Sequence, residues 1–160
     1  MNSLRAALSA LLILPAAAIA QSVALGGLSA DPAAPVEVTS ETLSVDQATG
    51  AAIFTGNVVI GQGELRLSAG EVEVRYDEAS GQIARLLASG GVTLATPSEA
   101  AEAQDADYDL TAQTLTLTGE VLLTQAGSAI SADRMVVDLA AGTAQMEGNV
   151  RTILQPQAAP

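Results

Sequence analysis

The sequence predicts an all-β fold built from stacked repeats, on three observations. Apolar and polar residues alternate with period two, Gly-x-Val punctuation recurs at regular intervals, and large aromatic side chains are nearly absent. Although 49% of the residues are hydrophobic, only Phe54, Tyr76 and Tyr108 are aromatic, so Val, Leu, Ile and Ala must supply the interior. A length of 160 residues suits one domain.

The chain opens with Arg5 and an uncharged run from Ala6 to Ala20 that ends Ala18-Ile19-Ala20. A basic start, an apolar stretch shorter than a spanning helix and an A-x-A site predict a signal peptide over residues 1–20, cleaved after Ala20. Pro15 and the small residues after it argue against the alternative of an uncleaved anchor. Export places the protein in a compartment where disulfides are permitted, yet it has no Cys, so the fold relies on packing alone. Residues 21–35 are rich in Ala, Gly, Ser and Pro and read as a flexible leader, and residues 154–160 as a disordered tail. The folded domain is expected over 36–153.

Within that domain Gly56-Asn57-Val58, Gly90-Gly91-Val92, Gly119-Glu120-Val121 and Gly148-Asn149-Val150 stand at spacings of 34, 29 and 29. Ser40, Ala69, Ala103 and Ala132 repeat at 29, 34 and 29. Asp46, Asp109 and Asp138 share one place in three of the units, where the second has Arg75. Two agreeing markers imply about four repeats, with five extra residues between Arg75 and Gly90 around the Asp77-Glu78-Ala79-Ser80-Gly81 turn signal.

Alternation within each unit defines strands of about five to seven residues. Val72/Val74/Tyr76, Leu115/Leu117, Val121/Leu123 and Met135/Val137/Leu139 illustrate it, and Gly50, Gly63, Gly81, Gly127 and Gly142 mark the turns between runs. Pro97–Ala103 alone has helix-capable composition and reads as a loop. No unit buries its apolar face alone, so the units stack into an elongated double sheet, open at both ends.

Composition excludes several functions. Without His or Cys there is no zinc or iron–sulfur ligand set, no Ser-His-Asp triad and no thiolate nucleophile, so the protein is not expected to be an enzyme or to carry a cofactor. Eighteen acidic residues against six Arg and a pI near 4.1 argue against nucleic acid. Asp105, Asp107 and Asp109 begin like a calcium loop, but Leu110 and Thr116 stand where Gly and Glu are needed, so no metal site is assigned. Glu71 and Glu73 alternate with Val72 and Val74, which reads as a solvated strand face rather than a glycosidase pair.

Two inner faces of Val, Leu, Ile and Ala can leave an apolar cleft suited to lipid, and a simply filled sandwich is the equal alternative on composition. Uncapped sheet ends leave edge strands able to pair with another chain. The first edge holds Val36, Glu37, Val38 and Thr39; the last holds Asn149, Val150, Arg151, Thr152 and Ile153. Two different edges meeting head to tail would build an open-ended assembly.

The stretch from Pro35 to Asp46, the run Phe54-Thr55-Gly56-Asn57-Val58-Val59-Ile60-Gly61-Gln62-Gly63 and the segment Ser68 to Val74 together resemble the lipopolysaccharide-transport protein A, or OstA-like, family. Leu117 to Gln125 and Ser131-Ala132-Asp133-Arg134 look like a later echo of the same pattern. The resemblance covers about Val36 to Ile153.

That resemblance implies an OstA-type twisted antiparallel β-jellyroll that holds acyl chains in an apolar groove. It implies a periplasmic carrier and bridge that passes lipopolysaccharide from an inner-membrane transporter to an outer-membrane translocon for outer-membrane assembly. Its partners would be lipopolysaccharide, an LptC-type adaptor, an LptD-type translocon and further copies of itself. Val36, Val38, Tyr108 and Leu110 match the family's inward positions, and parity adds Leu67, Val74, Val92, Leu94, Val121 and Leu123 as lipid-contacting candidates. The mature chain departs from the family in carrying only Arg66, Arg75, Arg85, Arg134 and Arg151, which puts head-group binding in question. The competing readings are a membrane-tethered LptC-type adaptor of the same fold and a structural β-repeat protein without lipid.

Overall fold

A computed structural model describes residues 21–24, 28, 31 and 33–156. The expected signal peptide and the last four residues of the expected tail lie outside the described residues. The strands are β1 (Gln21–Ala24), β2 (Glu37–Thr39), β3 (Thr42–Val45), β4 (Ala52–Gln62), β5 (Leu65–Tyr76), β6 (Ile83–Ser89) and β7 (Val92–Ala95). They continue as β8 (Glu99–Ala103), β9 (Asp105–Asp109), β10 (Thr114–Gln125), β11 (Ser128–Asp138), β12 (Thr143–Glu147) and β13 (Arg151–Leu154). All belong to one antiparallel sheet, and the described residues contain no helix.

The sheet is folded along its length into two layers because β4, β5, β10 and β11 each bend midway. One layer, layer A, runs β3, β4 (52–55), β5 (71–76), β6, β9, β10 (114–118), β11 (134–138), β12 and β1. The facing layer B runs β2, β4 (58–62), β5 (65–69), β7, β8, β10 (121–125), β11 (128–132) and β13. A single flat sheet with this alternation would leave one apolar face in water, and folding it lays that face against itself.

Gly-x-Val punctuation marks the bend. Gly56 and Asn57, Gly90 and Gly91, Gly119 and Glu120, and Gly148 and Asn149 are consecutive pairs at positive φ, a conformation glycine adopts without steric cost. At three of these corners a neighbouring side chain folds over the glycine: a Cβ on Gly56, Gly119 or Gly148 would meet Glu41 at 2.6 Å, Gln104 at 2.7 Å or Asp133 at 2.5 Å. The same three residues donate backbone N–H bonds to the glycine carbonyls at 2.9–3.0 Å. Their side chains also bond those of Asn57, Glu120 and Asn149. At the remaining corner two glycines meet directly, and a Cβ on Gly70 would approach the Gly90 carbonyl at 3.2 Å.

The opposite ends of the strands, the tips, carry aspartate turns. Asp46, Asp77 and Asp138 each accept two backbone N–H bonds from residues two and three further on, and Asp109 accepts one from Ala112. The Ser80 N–H, first among these bonds, holds the Asp77 carboxyl below its ordinary range. In the second unit the turn residue is therefore Asp77, not a substitution at Arg75. Thirteen positions separate Asp77 from Gly90, against ten from Asp46 to Gly56, so the five extra residues are divided between the two arms of a longer hairpin. A register shift between Arg75 and Tyr76 absorbs the irregularity.

Two further expectations are corrected. Pro97–Ala103 is not a loop: Glu99–Ala103 forms β8, pairing with β7 and β10, because tertiary pairing overrides the weak β-propensity of Ala and Glu. The segment read as a flexible leader contributes β1, which pairs with β12, and Leu28, which is fully buried. Local composition does not register such a contact, since the partners lie more than 70 residues away. The layer A edge at the C-terminal end is consequently covered by the chain itself.

Candidate functional site

All ten lipid-contacting candidates lie on one core. Val74 and Tyr108 in layer A, and Leu67, Val92, Leu94, Val121 and Leu123 in layer B, are buried. Val36, Val38 and Leu110 are half-buried and pack against the same cluster. Register explains the convergence: Val72, Ala88, Ala106, Leu117, Met135 and Met146 succeed one another across layer A, and Ile60, Leu67, Leu94, Ala101, Leu123 and Ile130 across layer B. Burying each such Val or Leu contributes about 1.5–3 kcal/mol.

The interior is nevertheless not an open cleft. A cavity of about 20 Å³ remains between the layers, lined by Val36, Ile60, Gln62, Leu65, Leu67, Leu86, Leu94, Tyr108 and Leu115. That volume holds about one water and no acyl chain. Branched aliphatic side chains from both layers, together with Leu28, interdigitate across the gap that their small size suggested they would leave.

A second, open cleft of about 340 Å³ lies at the tips, lined by Gln62, Gln82, Ile83, Tyr108, Leu110, Thr111 and Gln113. Gln62 and Tyr108 belong to both linings. The Tyr108 hydroxyl donates to Gln62 Oε1 at 3.1 Å, so this bond joins layer A to layer B and partitions the cleft from the cavity. Burial pushes the Tyr108 hydroxyl above its ordinary pKa. Gln62 Nε2 donates in turn to the Ala34 carbonyl at 3.3 Å, and the Leu28 N–H donates to the buried Glu99 carboxylate at 2.9 Å. The leader thereby fastens to layer B on the tip side, opposite the corners.

Ile60, Leu65, Leu86 and Leu115 line the same cavity and share the parity of the named candidates, although they were not among them. Gln62 is polar at an inward position, and pattern reading assigns such a residue to the turn that follows it.

The acidic surface has few unpaired cations. Arg75, Arg85 and Arg134 pair with Glu73, Asp107 and Glu147 at 2.7, 2.5 and 2.7 Å. Arg66 donates to the Gly63 and Leu65 carbonyls. Asp105, Asp107 and Asp109 alternate along β9 with the buried Ala106 and Tyr108, an outward-facing row.

At the N-terminal end of the stack the sheet edges are β2, with Val36 just before it, and β3, where Leu43 and Val45 are 56% and 61% exposed. At the other end β13 is the layer B edge, preceded by Asn149 and Val150, with Ile153 and Leu154 exposed.

A folded double layer of antiparallel strands around an apolar interior, with strand edges at its ends, defines a twisted antiparallel β-jellyroll. The family described as LptA/(LptD N-terminal domain) LPS transport protein matches residues 37–151, and the chain belongs to it. The protein R00383 of Rhizobium meliloti (strain 1021) is 32% identical over 158 residues, covering 91% of this chain and 85% of its own. Among solved structures, LptH of Pseudomonas aeruginosa, the LptA-homologous periplasmic component of the lipopolysaccharide transport device, superposes with a TM-score of 0.71. That match has 18% identity and covers 79% of this chain and 99% of LptH. The family is one of transport proteins, and the role of this chain lies in lipopolysaccharide transport.

Proposed function

We propose that the protein is a periplasmic carrier and bridge that takes lipopolysaccharide acyl chains between its two layers. It passes them from an inner-membrane transporter with an LptC-type adaptor to an outer-membrane LptD-type translocon, copies joining head to tail. The observation that carries this reading is the partition at Tyr108 and Gln62 between an outer cleft and an apolar cavity. The layers are covalently continuous along the corners, whereas at the tips they are held by side-chain bonds, with Leu28 and Ala34 fastened to layer B. Parting there widens the cavity without breaking the strand ladders. Each buried CH₂ contributes about 0.8 kcal/mol, so a twelve-carbon chain supplies roughly 10 kcal/mol against the cost of parting. Charge has no share in that gain, which suits a chain with so few free cations.

Photo-crosslinking residues at Val38, Tyr108 and Leu110, introduced one at a time in cells, test the reading. Labelled lipopolysaccharide is expected at all three positions. Folded, correctly localised protein that labels no lipopolysaccharide would leave the structural β-repeat reading in its place.

A further inference from the structure

We propose that β1 occupies, within one molecule, the layer A edge that β3 of a following copy takes during assembly, so that self-association requires β1 to be released. The inference rests on the head-to-tail reading and adds to it a strand that competes with the neighbour.

Direction and phase carry it. In layer A the strands alternate in sense, and β12 runs from tip to corner, so the next strand must run from corner to tip. Strand β1, antiparallel to β12, does so. Strand β3 also runs away from its corner at Glu41, and so it has the same sense. Layer B is in step: β13 runs corner to tip and, among the described residues, pairs only with β11, and β2 runs tip to corner. A following copy therefore offers correctly directed strands to both layers at once, whereas β1 serves one.

The internal repeat supplies the register. Ala52 and Phe54 stand four and two residues before the corner Gly56, as Ala144 and Met146 stand before Gly148. Phe54 is opposite Val72, and Ala52 is opposite Val74, two and four residues after Gly70. The residues two and four after the equivalent corner residue Glu41 are Leu43 and Val45. Continuing the pattern sets a following copy's Leu43 opposite Met146 and its Val45 opposite Ala144. Those register positions are held within the molecule by Gln21 and Val23. The neighbour thus brings two apolar residues, both largely exposed in the single molecule, where β1 brings one and a glutamine. Exchange removes Leu43 and Val45 from water and completes the inner row.

Cysteine probes test this in the full chain, which has no Cys of its own. Ser44 and Gln145 are exposed, and the same register sets them opposite each other across the junction; Ser22 is opposite Gln145 within the molecule. The S44C and Q145C variants are mixed under mild oxidation, with and without S22P/V23P. Paired prolines remove a β1 ladder bond whichever of the two N–H groups faces β12. A disulfide between copies is expected, with a yield about tenfold higher in the proline background, since the competent fraction rises. Separately, S22C/Q145C locks β1 in place: the oxidised protein is expected to sediment as a monomer and to regain association when the same sample is reduced. Equal association of oxidised and reduced S22C/Q145C would overturn the competition while leaving head-to-tail assembly standing. Absence of any crosslink and of any association in all forms would overturn both.

Discussion

The Tyr108 hydroxyl donates to the buried Gln62 side chain 46 residues away, at 3.1 Å, and this bond between two polar side chains lining the inner cavity ties layer A to layer B. Replacing Tyr108 with Phe keeps the ring and removes the tie, stranding Gln62 Oε1. A loss of about 1 kcal/mol in unfolding free energy is expected from urea titration. If layer separation admits lipid, the same variant takes up an acyl-chain probe faster than the wild type.

The pH dependence at that site has a definite sign. Burial raises the Tyr108 pKa above its ordinary value of 10.0, so above pH 10 the native state retains a proton that the unfolded state has released. The contribution is fully present below pH 10 and is lost as pH rises through the raised value. Chemical denaturation from pH 9 to 11 should show a steeper decline for wild type than for Tyr108→Phe, and parallel curves would contradict it.

Corner glycines and turn glycines should differ. Gly119 has φ +84° with Gln104 Oε1 at 2.7 Å from a would-be Cβ, whereas Gly81 has φ +71° with open space around it. Alanine at position 81 costs about 1 kcal/mol in backbone strain alone. Gly119→Ala should cost about 2 kcal/mol or more because Gln104 must also move. Adding Gln104→Ala is expected to recover part of that excess in thermal melts.

Docking of the leader is tested at Leu28, which is wholly buried with its N–H on Glu99. Leu28→Ala should destabilise by roughly 2–5 kcal/mol, as for other core leucines. A leader without tertiary contacts predicts no change in denaturation midpoint.

Much of the fold was legible because its determinants are local. Alternation along residues 72–74 or 115–117 assigns an inward face within a few residues, and Gly-x-Val marks corners because the two positive φ values must be met in the chain itself. What escaped depends on distant partners. Ala-rich β8 is a strand because β7 and β10 flank it, Gln62 is inward because its Oε1 accepts from the Tyr108 hydroxyl, and the leader is fastened because Glu99 and β12 lie beside it.

By itself, then, the sequence determined an all-β chain, the spacing of its Gly-x-Val corners, the inward parity of Leu67, Val74, Val92, Leu94, Val121 and Leu123, and the family to which the chain belongs. Only the tertiary structure decided that the interior is nearly filled, that the leader reaches the far end of the stack, and that the C-terminal edge of layer A is occupied. The division has one physical cause: strand parity and turn geometry are set by neighbours along the chain, whereas closure of a gap and covering of an edge depend on which distant groups arrive there first.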